Sequence, residues 1–505
     1  MSSRLVELLE RASSSGATCT FPDAGQTMTF AEIWSGSSAA AAWFHLHVER
    51  AGSVGFVLTT SPALIVALFG AWRAGLTVVS IPPPVTSESE YSSFVRESCR
   101  LTHTQLVIVE ALGAVSRDWP ADVTVIAASS CVASGTFGLS GAGGLVQFSS
   151  GSTSQPKGVV LSLDAVAANV EGVLAVMEPR KSEVLCSWLP LFHDMGLVGM
   201  LLTGWAGMYE ASGGLVLHDT RVFLRRPRSW LRSCSANEAT ITAAPPSAYR
   251  LAAEMLSTER SLDLSSLRTC IVGAEEIDVE SLQAFDLAAG AFGLPATSLS
   301  PCYGQAEATL AISMVEPSVR WRKVEGTAAT GRARVASSGT PLPGVRVRAK
   351  NGGPGVVGEL CVVTPSALRS YTSGAWPGEE GELWTSDLGL VDRGEVVVLG
   401  RKDDVLLIGG RKLFPGDVES AAARVRGVRP SRIAAIPDGS GGLAVLLEVK
   451  ASSGRTSMEI ANDISVAVSS NTGTRPRCVK VVPRGALPLT SSGKVRRKDA
   501  GRLLD

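Results

Sequence analysis

The stretch "VQFSSGSTSQPKGVVLS", Val146 to Ser162, sets small hydroxyl and glycine residues between two apolar runs and closes them with Pro-Lys-Gly. A Gly/Ser/Thr loop between a strand and a helix offers backbone N–H groups and hydroxyls to an anion, and the helix start adds its dipole. Lys157 adds positive charge. The stretch is not a Walker A loop. Pro156 stands where that pattern has its second glycine, and Gly158 follows Lys157 where it has a hydroxyl residue. The alternative reading of the stretch alone is a flexible polar loop.

The chain around it has 505 residues, too many for one compact core, so two or more domains are expected. Lys plus Arg and Asp plus Glu both number 47, which leaves no electrostatic reason to expect nucleic acid or an anionic membrane as partner. The nine cysteines are scattered, with no CxxC and no zinc-like Cys/His spacing. That usage points to reduced thiols in a cytoplasmic protein. "MSSRLVELLERASSS" mixes charges with leucines and reads as a short amphipathic helix rather than a signal peptide. The apolar run "ALIVALFGAW" stops at Arg73, too short to span a bilayer, and is expected to be a buried helix.

Apolar strands such as "VGFVLTT", "QLVIVEA", "VTVIAAS" and "TCIVGAE" alternate with helical stretches such as Leu64–Ala74 and Ala165–Met177. Strands without polar alternation, separated by helices, predict parallel sheets covered on both faces. From about Val345 short strands joined by Gly and Asp turns predict a small β-rich subdomain. After "LGRKDD" come about a hundred residues of mixed α and β character. The expected class is therefore α/β. Residues 1–399 form a large N-terminal part of parallel-sheet α/β subdomains plus a small β-subdomain. Residues 400–404 form a hinge, and 405–505 a small mobile α+β domain.

Further motifs follow the opening stretch in order: "PCYGQAEATL" from Pro301, "ELWTSDLG" with Asp387, "GRKDD" from Gly400, and "LPLTSSGKVRR" with Lys494. With them the sequence resembles the adenylate-forming superfamily of acyl-CoA synthetases, nonribosomal adenylation domains and luciferases. "SIPPP" (Ser80–Pro84), "WLPLFHDMGLVG" (Trp188–Gly199), "FLRRPRSWL" (Phe223–Leu231), "GAEEI" (Gly273–Ile277) and "YGQAEATL" make it most similar to the fatty acyl-AMP ligases.

The resemblance implies attack of a carboxylate on the α-phosphate of ATP, giving acyl-AMP and pyrophosphate, then displacement of AMP by a thiol. It implies that the loop Ser149–Gly158, with Ser149, Ser150, Gly151, Ser152, Thr153 and Lys157, holds the outer phosphates. Lys157 is as readily a loop anchor. Glu307 is implied as the Mg²⁺ ligand, a hard oxygen donor for a hard cation. Tyr303, beside Gly304, should stack on adenine, with Gly273, Ala274 and Glu275 as the opposite wall. Asp387 should accept from the ribose hydroxyls, although "TSD" replaces the family's "TGD", and Arg401 should add a ribose or phosphate contact. Lys494 is the implied catalytic lysine, bridging carboxylate and α-phosphate. Arg496, Arg497 and Lys498 are expected on a solvated helix face. His193 falls between acyl pocket and thiol tunnel by resemblance, or is an interior histidine. Asp194 reads as a cap or buried partner. Trp188, Met195 and Leu197 suit an apolar acyl pocket and equally suit ordinary core. Asp403 matches the family's hinge position.

Two acceptors fit the resemblance, and the wording of "GAEEI" and "HDMG" favours the first. One is the phosphopantetheine thiol of a separate holo acyl or peptidyl carrier protein, in lipid or natural-product biosynthesis. The other is CoA. The segment Ala311–Ala336 sits where acyl-AMP ligases carry an insertion, and it is shorter than theirs. An inactive acyl- or nucleotide-binding homologue is the reading from another class. Retained Glu307, Asp387, Arg401 and Lys494 argue against it.

Overall fold

A computed structural model describes residues 3–49, 52–84, 88–112, 119–134, 143–149, 157–209, 212–325, 334–350, 352–353, 355–374, 381–451, 454–489 and 494–504. Its architecture is α/β, as the apolar strand runs predict. One sheet of seven strands centres on Ser53–Val57, Thr77–Ile81, Leu106–Val109, Thr124–Ala127 and Gly144–Ser149, all parallel. A nine-stranded sheet has Thr18–Phe21, Val184–Ser187, Gly214–Leu217, Ile241–Ala244, Thr269–Val272 and Leu299–Gly304 as its parallel heart. Residues such as Val54, Phe56, Val78 and Val79 are fully buried, so these strands carry no polar face.

The helices Phe30–His47 and Pro62–Arg73 pack against each other between strands. The second contains the apolar run that ends at Arg73. That arginine is itself buried, and its guanidinium donates to the Trp34 carbonyl at 2.7 Å and to Ser37 Oγ at 2.9 Å. No helix among the described residues is long and apolar enough to cross a membrane.

An antiparallel four-stranded sheet follows, built from Arg346–Ala349, Gly358–Val363, Leu383–Asp392 and Glu395–Arg401. Beyond it a three-stranded sheet, Val428–Pro437, Leu443–Val449 and Cys478–Val481, packs with the helices Pro415–Ala423 and Ser457–Thr472. Val418, Ile433, Leu447, Ile460 and Ile464 form an apolar cluster distinct from the large one.

Two local expectations change. The Ser/Gly loop does not lead into a helix. It joins two antiparallel strands, Gly144–Ser149 and Lys157–Ser162, and the helix Leu163–Met177 begins only afterwards, capped by Ser162. "KGVVLS" is a short apolar run, and periodicity does not separate strand from helix over six residues. Arg497 is not on a solvated face. It bonds Asp404 at 2.6 Å and Glu419 at 2.7 and 2.8 Å. Of the Ala311–Ala336 segment, Ala311–Met314, Lys323–Glu325 and Arg334–Ala336 are strands.

Candidate functional site

The site begins at the ends of two neighbouring parallel strands, where open α/β sheets bind ligands. Gly273 follows the strand Thr269–Val272, and the neighbouring strand Leu299–Gly304, with Pro301 opposite Val272, carries Tyr303 two residues on. A Cβ on Gly273 would lie 2.6 Å from Cys302 Sγ, so only glycine allows this approach of the strands. Ala274 takes φ 66°, a left-handed conformation that turns the chain sharply after the strand. Glu275 accepts from Ser247 N at 3.2 Å and Ser247 Oγ at 3.1 Å. Its carboxylate is therefore engaged at the start of the helix Pro246–Leu256, where the dipole favours negative charge.

Tyr303 is buried, and its hydroxyl donates to Asp387 Oδ2 at 2.6 Å. Asp387 lies opposite Arg401 in an antiparallel pair, and Arg401 Nε reaches Asp387 Oδ1 at 3.3 Å. Two residues from distant motifs thus share the carboxylate of a third. Burial pushes the Asp387 carboxyl above the usual range, against the pull of the Arg401 charge and the Tyr303 hydrogen bond. Burial and the Asp387 charge push the Tyr303 hydroxyl upward, which keeps it a donor. Ser386, where the family carries glycine, has φ 60°, a conformation that suits glycine better.

Glu307 follows in a short 3-10 turn, Ala306–Ala308. Its Oε1 accepts from the Tyr371 hydroxyl at 3.0 Å. The chain then makes a tight γ-turn at Thr309, φ 70° and ψ −57°, closed by Leu310 N donating to the Ala308 carbonyl at 2.9 Å. A β-branched residue is strained there. Two groups hold it. Thr309 Oγ1 donates to the Ser366 carbonyl at 2.7 Å, and Asn169 bonds the backbone on both sides of the turn.

Lys157 opens the strand after the loop, with its ammonium 3.6 Å from the centre of the Tyr371 ring. Ser149 ends the preceding strand. Ser150, Gly151, Ser152 and Thr153 lie outside the described residues. Among the described residues no group of three or more His, Cys, Asp or Glu side chains is placed to hold a metal. The carboxylate at Glu307 suits Mg²⁺, which takes one or two protein carboxylates and completes its shell with phosphate and water.

Lys494 comes from far along the chain, and its Nζ donates to the Ala274 carbonyl at 2.6 Å. His193 Nδ1 lies 2.5 Å from Asp194 Oδ1, which also accepts from Met195 N at 2.7 Å. Burial would raise the Asp194 carboxyl. The charge and hydrogen bond of His193, the Met195 N–H and the Lys494 charge outweigh it and hold the group below its ordinary value. Asp194 caps Met195–Leu202, a π-helix, a rare geometry that often marks functional sites. Ser80 Oγ ties this segment to the other sheet by donating to the Phe192 carbonyl at 3.2 Å.

Trp188, Met195 and Leu197 are buried in the large apolar cluster. Trp188 stacks on Phe223 at 3.5 Å between ring centres. A groove of about 760 Å³ lies elsewhere, between the helix Val279–Gly290 and Arg320–Lys323, and touches none of these residues. Asp403 sits in the short 3-10 turn Lys402–Asp404 that follows Arg401. Sequence reasoning missed Asn169 and Tyr371. Tyr371 is 64 positions from Glu307 and no local pattern links them.

Comparison with known proteins places the chain in a family. A family model described as AMP-binding enzyme matches residues 10–125 and 144–372. The long-chain-fatty-acid–AMP ligase FadD26 of Mycobacterium marinum is 31% identical over 70% of this chain and 68% of its own length. A 4-hydroxyphenylalkanoate adenylyltransferase of Mycobacterium tuberculosis is 29% identical over 98% of this chain and 90% of its own. A solved chain described among fatty acyl-adenylate ligases from E. coli and L. pneumophila shares the fold. Its TM-score is 0.88 at 24% identity, covering 100% of this chain and 98% of that one. ATP is the family's co-substrate. The chain belongs to the AMP-binding enzyme family and is an acid–AMP ligase of the fatty acyl-AMP ligase type.

Proposed function

We propose that the protein joins a fatty or other acyl carboxylate to the α-phosphate of ATP, releasing pyrophosphate, and passes the acyl group to the phosphopantetheine thiol of a separate carrier protein. In the second step the thiol sulfur replaces the AMP oxygen on the acyl carbon, and AMP and a proton leave. The observation that carries the reading is the Lys494 ammonium at 2.6 Å from the Ala274 carbonyl. It brings a cation from residue 494 to the strand ends where Tyr303, Asp387 and Arg401 meet. A cation there offsets the repulsion between carboxylate and triphosphate. Tyr303, Ala274 and the backbone of Gly273 and Glu275 frame the adenine, Asp387 and Arg401 the ribose, and the loop with Lys157 the outer phosphates. Glu307 would hold Mg²⁺, which supplies charge neutralisation at the phosphates. His193, paired with Asp194, borders the path of acid and thiol, and Trp188, Met195 and Leu197 back the acyl side.

The carrier protein as acceptor draws support from the branch wording "HDMGLVG" and "FLRRPRSWL" and from the kinship with FadD26. One active site then serves two reactions, and residues 405–505 turn about Asp403 relative to 1–399. The separate apolar cluster around Val418 and Ile464 supports their moving as a unit. The test times each half-reaction on Lys494→Ala and Asp403→Pro. Lys494→Ala is expected to slow acid-dependent ATP–pyrophosphate exchange by roughly 10²–10³-fold, as for a lost transition-state donor. It leaves transfer from supplied acyl-AMP to a holo-carrier intact. Asp403→Pro does the reverse, because a fixed φ hinders rotation. Equal slowing of both halves by Lys494→Ala refutes the two-pose account. Acyl-CoA formed as fast as acyl-carrier refutes the acceptor.

A further inference from the structure

We propose that Tyr371 is a positioning residue for the reaction: its hydroxyl fixes the Glu307 carboxylate in the orientation that presents its other oxygen to a divalent cation. The proposal rests on Glu307 being the metal ligand.

Tyr371 lies on the short strand Ser370–Tyr371, which joins the edge of the seven-stranded sheet against Lys157–Ser162. Four hydrogen bonds seat the segment. Arg369 N donates to the Val160 carbonyl at 2.7 Å, and Thr372 N to the Gly158 carbonyl at 2.8 Å. Gly158 N donates to Thr372 Oγ1 at 3.2 Å. Leu368 N donates to the Glu307 carbonyl at 2.8 Å, so the same segment grips the backbone of the residue whose side chain it orients. The ring itself is buried.

Two groups use this one side chain. The ring face carries the Lys157 ammonium at 3.6 Å, and the hydroxyl donates to Glu307 Oε1 at 3.0 Å. A cation over the face draws electron density from the ring, which makes the hydroxyl a better donor. One neutral donor occupies one lone pair of Oε1. It leaves Oε2 and does not neutralise the carboxylate, as an arginine partner would. A glutamate without this bond samples several rotamers, and fixing them at the moment of cation binding costs entropy. A tyrosine that only packed would not point its hydroxyl at the one carboxylate of "YGQAEATL". The arrangement also couples the end of the phosphate loop, through Lys157, to the metal ligand.

The test compares the full-length wild type, Tyr371→Phe and Glu307→Gln. Phenylalanine keeps the ring under Lys157 and removes only the hydroxyl. Mn²⁺ binding is titrated by electron paramagnetic resonance in the presence of α,β-methylene-ATP, and exchange activity is measured across Mg²⁺ concentration. Tyr371→Phe is expected to weaken Mn²⁺ binding by about 10-fold, the scale of one hydrogen bond to a charged group. It raises the Mg²⁺ needed for half-maximal exchange to match, with recovery to near wild-type rate at saturating metal. Melting temperatures report whether both variants are folded. Unchanged metal dependence in folded Tyr371→Phe, with a shift in Glu307→Gln, overturns the role of Tyr371 alone. Unchanged dependence in Glu307→Gln overturns the metal reading of Glu307 and this proposal with it.

Discussion

Asn169→Ala tests what holds the strained turn beside Glu307. Asn169 is 2% exposed, on the helix Leu163–Met177. Its two amide hydrogens serve three acceptors: the Ala308 carbonyl at 3.2 Å, the Ala311 carbonyl at 2.8 Å and Ser366 Oγ at 3.1 Å. Its oxygen accepts from Ala311 N at 3.1 Å. Truncation leaves the Ala308 carbonyl with the Ser366 hydroxyl, which already donates to it. The N–H and carbonyl of Ala311 both lose the amide. A buried group left unsatisfied costs about 1–3 kcal/mol, so two cost about 2–6 kcal/mol, and water entering the vacated space brings the sum toward about 3 kcal/mol. Unfolding entropy of about 2.1 cal/mol/K per residue gives about 1.1 kcal/mol/K if the whole chain melts as one unit. A loss of about 3 kcal/mol then lowers Tm by about 3 °C, and by more if a smaller unit melts. Asn169→Asp, with the same shape, should be worse. It removes both donors and sets an acceptor against two carbonyls. Differential scanning calorimetry on both variants measures this. If Asn169→Ala melts within 1 °C of wild type, or Asn169→Asp melts above Asn169→Ala, the clamp is not what holds the turn.

Ser386→Gly removes a left-handed penalty of about 1–2 kcal/mol and adds about 0.4–1 kcal/mol of unfolded-chain entropy. Tm should rise slightly, by up to about 1 °C, and a fall would mean that the Ser386 side chain makes a contact worth more than the strain. Asp387→Asn tests the raised carboxyl. In wild type the folded group holds its proton to higher pH than the unfolded one. Stability from this group is full below the unfolded value, near 4, and is lost as pH rises through the folded value. The asparagine variant should lack that loss in a series of melts from pH 4 upward, and identical slopes for the two proteins would show that Asp387 titrates normally.

Adjacent residues in a motif were legible, and distant pairings were not. "YGQAEATL" places Tyr303 and Glu307 close by chain connectivity. Nothing in it reveals that Tyr303 bonds Asp387 across 84 positions or that Tyr371 returns to Glu307. The parallel sheets were readable because Val54, Phe56, Val78 and Val79 need cover on both faces. The strand Lys157–Ser162 was not, because its pairing partner is set by the register with Gly144–Ser149, which a six-residue window does not contain. Ser386 showed as a departure from the family's glycine. Only the backbone shows that the chain keeps the glycine-like conformation, φ 60°, and bears the strain. Arg497 read as solvated because its partners, Asp404 and Glu419, lie 93 and 78 positions away.

Arg497 bears on how Lys494 would leave the site between the two proposed steps. It lies three residues past Lys494 and bonds Asp404, the neighbour of Asp403. It also bonds Glu419 on the helix Pro415–Ala423. A change of φ or ψ at Asp403 therefore carries Asp404, Glu419, Arg497 and Lys494 together. The relative strengths decide which contact yields. The Lys494 bond to the Ala274 carbonyl is a single charge-assisted bond, worth about 1.5–3 kcal/mol before its exposure to water weakens it. Arg497 is bound to two carboxylates in a partly buried setting by three charge-assisted hydrogen bonds. Under the proposed two-step reading, the Lys494 bond would yield, with the exposed pairs Lys450–Glu254 and Arg424–Glu280, before the body that carries Lys494 comes apart. A lysine proposed to act in only one of two reactions would travel on such a body.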